Sequence, residues 1–199
     1  MKKSLLRSSL AFAIAATSGA VLSAELEEII VTAQKRAESL QDVPISLTAL
    51  SGSKIEDAGI HSFHDLGSFV PNLGVSENAV NSIISMRGIG VGANQSFEQS
   101  VGIYVDGIHY GKSRQVRTGL FDLAQVEVLR GPQGVLFGKN TLAGAINVTS
   151  ASANVGDAMS GKINYSRESL DGQIVDANIS GSVSDTLALR FAVRDRQAD

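Results

Sequence analysis

Two glycine-rich stretches carry residue patterns that can support nucleotide chemistry. Gly88-Ile89-Gly90-Val91-Gly92 follows a predicted strand, with Asp106 about 18 residues after Gly88, and superficially resembles a dinucleotide-binding turn. The stretch from Gly134 to Asn140 superficially resembles a phosphate-binding loop. In the right setting, either pattern would predict a nucleotide-dependent enzyme.

Neither stretch has the setting that nucleotide binding needs. A pyrophosphate site requires a helix N-terminus directly after the glycines, and no helical apolar period follows Gly92. The second stretch has three residues between its glycines instead of four, and Asn140 stands where a magnesium-binding hydroxyl should follow Lys139. A nucleotide-dependent enzyme is therefore only a remote alternative, and no residue is assigned a catalytic role.

His61 and His64 lie three residues apart, beside Asp65. On a predicted helix they would share one face, where they could contact a metal or haem. A third ligand is missing, because His109 has no predicted link to the other two. We therefore interpret them as ordinary helix-surface histidines and expect neither a metal site nor a cofactor.

Residues 1–24 predict a secretory signal peptide. Basic residues at positions 2, 3 and 7 precede an apolar run from Leu10 to Leu22, and small residues end at Ala24. A membrane-spanning helix needs about 20 apolar residues, and this run is shorter. We expect export through the inner membrane and cleavage near Ala24.

The charge and the cysteine content of the mature chain exclude several classes of protein. Three of the 17 basic residues and none of the 20 acidic residues lie in the predicted leader, so the mature chain has a net charge of about −6. That charge argues against a nucleic-acid partner, which would require a basic face. The absence of cysteine from the sequence excludes disulfides and thiolate metal sites.

Residues 42–150 predict a small α+β domain with a mixed sheet and short helices. Two helices are expected to open at the capping boxes Ser53…Glu56 and Ser62…Asp65 and to stop near Gly59 and Pro71. The predicted strands are Ile45–Leu50, Ile83–Arg87, Val101–Val105, Val126–Arg130 and Ala145–Thr149.

Residues 159–199, after a small-residue linker at 151–158, alternate between apolar and polar side chains. The alternation is clearest in Val175–Val183 and Leu187–Arg194, and a third segment covers Lys162–Arg167. Strands of about 10 residues with one apolar face are typical of a transmembrane β-barrel, although a soluble sheet with one buried face would alternate in the same way. The predicted leader and the lack of disulfides favour the barrel, with outer-membrane lipid around it.

Three segments of the mature chain together carry a family pattern. They are Glu28-Ile29-Ile30-Val31-Thr32-Ala33, then Gly102-Ile103-Tyr104-Val105-Asp106-Gly107, then the stretch from Val126-Glu127-Val128-Leu129-Arg130-Gly131-Pro132-Gln133-Gly134 through Asn147. Taken together, they resemble the TonB-dependent outer-membrane receptors. The first segment resembles the TonB box, and the last resembles the end of the plug domain, in which Ser85-Met86-Arg87-Gly88 also has a counterpart.

The resemblance implies a plug domain inside a barrel of about 22 strands, of which about three lie in this sequence. A flexible tail, residues 25–41, would carry the box. The implied partner at Glu28, Ile29, Ile30, Val31, Thr32 and Ala33 is TonB, with its inner-membrane energising complex. Substrate binding at the outer face would free the box for TonB, whose force would open a path past the plug.

The resemblance also implies roles for plug residues. Contacts between plug and barrel are expected at Glu127, Arg130, Gly131 and Pro132, with Arg130 as an ionic latch. Substrate-facing loops would carry Arg87, Gln95, Tyr110, Arg114 and Arg117. Arg114 and Arg117 could meet an anionic ferric siderophore, although solvated loop charges would give the same pattern.

The implied function is energised import in the outer membrane rather than catalysis. A ferric siderophore or another iron complex is the expected substrate, with vitamin B12 and glycans as further possibilities. The alternative is a truncated, plug-like periplasmic binding module that engages TonB without transporting anything.

Overall fold

The computed structural model describes residues 29–32, 34–78, 81–92, 98–117, 119–167 and 172–197. The predicted signal peptide and three predicted site residues, Glu28, Ala33 and Gln95, lie outside these ranges. Within them, no helix combines the length and the apolar character needed to cross a bilayer.

Thirteen β-strands, three short α-helices and one 3-10 helix make up the described part of the chain. The strands are β1 (Ile30–Val31), β2 (Glu38–Ser39), β3 (Leu47–Ser51), β4 (Leu73–Glu77), β5 (Ser82–Met86), β6 (Ile89–Gly90), β7 (Val101–Val105), β8 (Ile108–His109), β9 (Leu123–Arg130), β10 (Gly144–Ser150), β11 (Ser160–Arg167), β12 (Gln173–Ser184) and β13 (Leu187–Gln197). The helices are α1 (Gly52–Asp57), α2 (Phe63–Phe69) and α3 (Gly134–Phe137), and the 3-10 helix covers Gln115–Arg117.

A five-stranded mixed sheet forms the centre of the first domain, in the order β3-β9-β10-β7-β8. β9 runs antiparallel to both β3 and β10, whereas β10 runs parallel to β7. β9 and β10 lie inside the sheet, so each pairs with a neighbour on both sides. The strands predicted at Val126–Arg130 and Ala145–Thr149 are thus confirmed, and both lie in the interior of the sheet.

The central sheet is buried on both faces. Val126 and Val128 enter the main core, whereas Leu129, on the other face of β9, joins a second cluster with Tyr104 and Ala145. A strand covered on both sides needs apolar residues at successive positions, and Glu127 is the polar exception between the valines. The main core also holds Leu50, Ile55, Ile60, Phe63, Leu66, Ile84, Met86, Ile103 and Ile146.

Serine caps open the two helices that contribute to the main core. The Ser62 hydroxyl accepts from the backbone N–H of Asp65 and donates to the Asp65 carboxylate, at 3.2 and 2.8 Å, which confirms the predicted cap. The cap of α1 is Ser51 and not Ser53, because β3 runs directly into the helix. Gly52 permits this junction, since a Cβ there would lie 2.0 Å from the Leu123 carbonyl oxygen.

Residues with positive φ end several helices and strands. Gly59 follows α1 with φ +65°, which agrees with the predicted helix stop. The pairs Arg87-Gly88 and Asp106-Gly107 have positive φ at both residues, the geometry of tight turns between antiparallel strands. They join β5 to β6 and β7 to β8, so the first glycine stretch forms a hairpin turn instead of a nucleotide-binding turn.

The last three strands form an antiparallel sheet in the order β11-β12-β13. The polar face carries charged side chains that reach the first domain, among them Lys162, Arg190 and Arg194. The other face is apolar and exposed, as the alternation predicted. It presents Ile163, Tyr165, Val175, Ile179, Val183, Leu187, Leu189, Phe191 and Val193.

Candidate functional site

The segment that resembles a TonB box folds back on itself. β1 pairs antiparallel with β2, with Ile30 opposite Ser39. Leu40 N donates to the Ile29 carbonyl at 2.9 Å, and a turn forms where Lys35 N donates to the Thr32 carbonyl at 2.7 Å. We call residues 29–32 and 34–40 the box hairpin. The described residues of this segment are thus paired and packed, and the flexibility expected at 25–41 stays a prediction.

Apolar contacts hold the box hairpin against the first domain. Val31 is only 1% exposed and belongs to a buried cluster with Val43 and Ala49. Ile29 and Leu40, from the two arms of the hairpin, pack against that cluster. Full burial of a valine side chain stabilises a fold by roughly 1.5–3 kcal/mol, so a few side chains account for the attachment.

Glu127 lies beneath the box hairpin and binds it directly. The side chain is 1% exposed and projects from β9, away from the main core that Val126 and Val128 enter. Glu127 Oε1 accepts from Thr32 N at 2.5 Å and from the Thr32 hydroxyl at 3.3 Å. Further donors are Gln125 Nε2 at 3.0 Å and Asn147 Nδ2 at 2.9 Å.

Neutral donors alone stabilise this buried carboxylate. Among the described residues, Glu127 takes part in none of the four salt bridges. A buried charge without a counter-ion depends on its hydrogen bonds, and a bond to a charged group contributes about 1.5–3 kcal/mol. Glu127 was predicted to contact a barrel wall; in the described residues its side chain bonds to Thr32, Gln125 and Asn147, and the barrel contact stays a prediction.

Arg130 also bonds within the first domain. Its guanidinium donates to the Pro71 carbonyl at 3.2 Å, to Ser46 Oγ at 3.1 Å and to the hydroxyl of Thr48. Burial, followed by the nearby charge of Arg87, lowers the pKa of Arg130. In the described residues this cation meets only neutral acceptors, so its role as an ionic latch stays a prediction.

Gly131 and Pro132 form the turn that leaves β9. Gly131 has φ +96° and donates its N–H to the Ala143 carbonyl at 2.9 Å, which closes the loop around α3. Within the described ranges, neither residue bonds to β11, β12 or β13. Their predicted contact with a barrel therefore also remains a prediction.

The links that do join the first domain to the last three strands come from other residues. Arg190 on β13 donates two bonds to the carboxylate of Asp122, at 2.8 and 2.5 Å. Arg194 donates to the Leu120 carbonyl at 2.9 Å and lies 4.7 Å from the centre of the Phe121 ring. Sequence reasoning placed both arginines on the polar face but gave no signal for their partners.

The predicted substrate-facing residues fall in two places. Arg87 is exposed in the turn between β5 and β6, close enough to Gly131 that a Cβ there would lie 3.6 Å from Arg87 Nη1. Tyr110, Arg114 and Arg117 lie in the segment after β8, where Tyr110 packs against the main core and both arginines are exposed. The assignment of these residues to substrate binding stays a prediction.

The remaining motifs form no chemical site in the described part of the chain. No group of three metal-ligating side chains occurs there. His61 precedes α2 instead of lying on it, and Arg194 Nη2 comes within 3.4 Å of its Nδ1. In the second glycine stretch, Lys139 pairs with Glu98 at 3.2 Å. Hydrogen bonds from Asn140 and Lys139 lower the pKa of that carboxyl.

Comparison with known proteins gives consistent matches. The family described as TonB-dependent Receptor Plug Domain matches residues 39–145. The pesticin receptor of Yersinia pestis is 32% identical over 86% of this chain and 25% of its own length. The iron-regulated outer membrane virulence protein of Vibrio cholerae is 28% identical over 87% of this chain and 28% of its own length.

A solved structure shows the same fold at a comparable identity. The ferric yersiniabactin uptake receptor FyuA from Yersinia pestis superimposes with a TM-score of 0.63 and 33% identity, over 71% of this chain and 22% of that one. The chain thus spans about a quarter of the length of the curated relatives it matches.

Proposed function

This chain belongs to the TonB-dependent receptor family, and from that premise we propose that it serves energised uptake of a ferric siderophore or another iron complex. Members of this family are transport receptors of the outer membrane rather than enzymes. The plug domain followed by antiparallel strands with an exposed apolar face fits such a receptor. Uptake, substrate and partner are properties of the whole protein and are part of the proposal.

The box hairpin is the observation that carries this proposal. β1 is a short strand near the start of the described chain, and only two residue pairs join it to β2. A segment held by so few backbone bonds can be released and can add to the edge of a partner's sheet. We assign that partner as TonB and the binding segment as residues 28–33.

The proposed substrate rests on the relatives. Of the proteins above, one is named as a receptor for ferric yersiniabactin uptake and another as iron-regulated. The exposed Arg114 and Arg117 offer cationic groups to an anionic ferric complex. A ferric siderophore is therefore the first substrate class to test, with vitamin B12 and glycans as alternatives.

Substitution of Ile30 by proline separates TonB engagement from substrate binding. The register of the box hairpin directs the Ile30 N–H away from β2, so proline removes a donor that only a partner strand would use. We expect Ile30→Pro to reduce uptake of iron-labelled ferric yersiniabactin at least about tenfold in energised cells, while surface binding persists. Ile30→Val keeps the N–H and should transport normally.

A protonophore provides the second arm of this experiment. It should abolish uptake by the unmodified protein without abolishing surface binding. Uptake that continues in Ile30→Pro cells or in the presence of the protonophore would contradict energised transport through the box. Binding to TonB without uptake of any iron complex would favour the alternative of a periplasmic binding module.

A further inference from the structure

One edge of β1 is paired within the box hairpin, and the other edge faces away from it. The bond from Leu40 N to the Ile29 carbonyl fixes the alternation of the antiparallel pair. Ile29 and Val31 therefore direct their backbone groups toward β2. Ile30 directs its N–H and carbonyl outward, along the edge that an added strand would use. Thr32 directs only its N–H outward, because its carbonyl accepts from Lys35 N in the turn.

Glu127 accepts a hydrogen bond from the outward-facing N–H of Thr32. The carboxylate accepts from this N–H at 2.5 Å and from the hydroxyl of the same residue at 3.3 Å. A partner strand cannot bond to the N–H of Thr32 while Glu127 holds it. The carboxylate therefore blocks the edge of β1 that the hairpin leaves open.

The residues around Glu127 fix the carboxylate independently of the box. Asn147, directly opposite on β10, donates to Oε2 at 2.9 Å, and Gln125 donates to Oε1 at 3.0 Å. On the other side, the neighbour on β3 is Ala49, whose small side chain packs with Val31. The acceptor is thus held in place whether or not Thr32 is bound.

We propose that Glu127 is a positioning residue that holds the box hairpin on the plug and blocks the free edge of β1. TonB can then add a strand only after Thr32 has left Glu127. This inference rests on the proposed function, because it takes β1 as the TonB-binding segment. A groove of about 400 Å³, lined by Thr32, Tyr104 and Asn147 among others, lies beside the contact.

Cysteine labelling tests this role, because residues 1–199 contain no cysteine, and labelling of the unmodified protein is subtracted as background. Val31→Cys reports on the box, since Val31 is 1% exposed. Ile30→Cys, at a position that is 46% exposed, reports on reagent access. Ile146→Cys, in the main core, reports on the plug as a whole. The rate of maleimide labelling is measured in isolated outer membranes that contain the protein as the cell makes it, without added substrate.

Loss of the carboxylate should release the box and leave the plug intact. We expect Glu127→Ala to speed labelling at position 31 by at least about tenfold, as expected for the loss of a bond to a charged acceptor, and to leave positions 30 and 146 within about twofold. Glu127→Gln retains one acceptor oxygen and should give a smaller increase. Glu98→Ala is the matched control, because it removes a carboxylate that pairs with Lys139 and Asn140 instead of the box hairpin.

Two results would overturn the role of Glu127. One is unchanged labelling at position 31 in Glu127→Ala. The other is a parallel increase at positions 31 and 146, which would make Glu127 a support of the whole plug. The labelling does not depend on transport, so a failure of uptake in the unmodified protein would count against the proposed function alone.

Discussion

At the scale of single residues, Asp122 and Arg190 form the most specific link between the plug domain and the strands that follow. Two guanidinium N–H groups meet two carboxylate oxygens, and both side chains are mostly buried, with 15% and 20% of their surface exposed. The Lys139–Glu98 pair, whose lysine is 72% exposed, is screened by solvent. Ion pairs that are bidentate and shielded from solvent are the ones that contribute measurably to stability.

A double-mutant cycle measures that link. Asp122 has φ +52°, which asparagine tolerates better than alanine, so Asp122→Asn removes the charge and keeps the turn. We expect Asp122→Asn and Arg190→Gln to show a coupling of about 1–3 kcal/mol in urea unfolding in phospholipid vesicles. Asp185→Asn, in the exposed turn between β12 and β13, is the control and should not change the free energy of unfolding. A coupling energy near zero between positions 122 and 190 would show that this ion pair does not stabilise the protein.

The environments of single residues were only partly predictable. In the strand predicted at Val126–Arg130, side chains alternate between faces, so Glu127 must lie opposite the two valines. Its partner Thr32 lies 95 residues away, and no local pattern indicates a contact at that separation. Arg190 and Asp122 are likewise 68 residues apart, and no local pattern pairs them; the latch role of Arg130 is implied by the family resemblance and stays a prediction.

At the scale of elements, two glycines in the segment from β9 through α3 to β10 differ in the space around them. A Cβ on Gly144 would lie 2.4 Å from the Leu129 carbonyl oxygen, whereas a Cβ on Gly134 would meet nothing within 4 Å. The first glycine allows β9 and β10 to approach, and the second only begins a short helix. Alanine at these two positions should therefore act in opposite directions.

We expect Gly144→Ala to lower the free energy of unfolding by about 1–3 kcal/mol, because a backbone carbonyl must move to admit the methyl group. Gly134→Ala should be neutral or stabilise by less than about 1 kcal/mol, because alanine favours helix. Urea unfolding of the two variants in vesicles compares them. Equal changes in the free energy of unfolding for the two variants would show that neighbouring atoms move to make room for a methyl group at position 144.

Element prediction succeeded where the apolar pattern was continuous. The strands β7, β9, β10, β12 and β13 carry runs of alternating or consecutive apolar residues, and each lies where the sequence placed it. The two-residue strands β2, β6 and β8 were missed, because no period can be read from two positions. β4 was missed because Leu73–Glu77 contains a glycine and only two apolar residues.

At the scale of the whole molecule, the exposed apolar face of the last three strands requires an apolar surrounding. Phe191 is 68% exposed and lies opposite Ile179 near the middle of its strand. Val183, on the same face, lies close to the turn at Asp185. In an outer-membrane protein, these positions correspond to different depths in the bilayer.

Arginine at these two positions tests the membrane placement. Phe191→Arg should cost about 2–4 kcal/mol of stability in phospholipid vesicles, whereas Val183→Arg should cost about 0–1 kcal/mol, because the penalty falls toward the interface. Unfolding in urea with vesicles present provides the comparison. Equal, small penalties at both positions would place this face in water.

The distance along the chain between Thr32 and Glu127 also has a consequence in time. β3 and the box hairpin both depend on β9, which lies about 70 to 95 residues later, and such non-local pairings form slowly. A chain that enters the periplasm N-terminus first therefore presents its box well before the strand that covers it has arrived. During export, the box can be covered by its own domain only after β9 has entered the periplasm. Until then, its protection depends on other molecules that bind the newly exported chain.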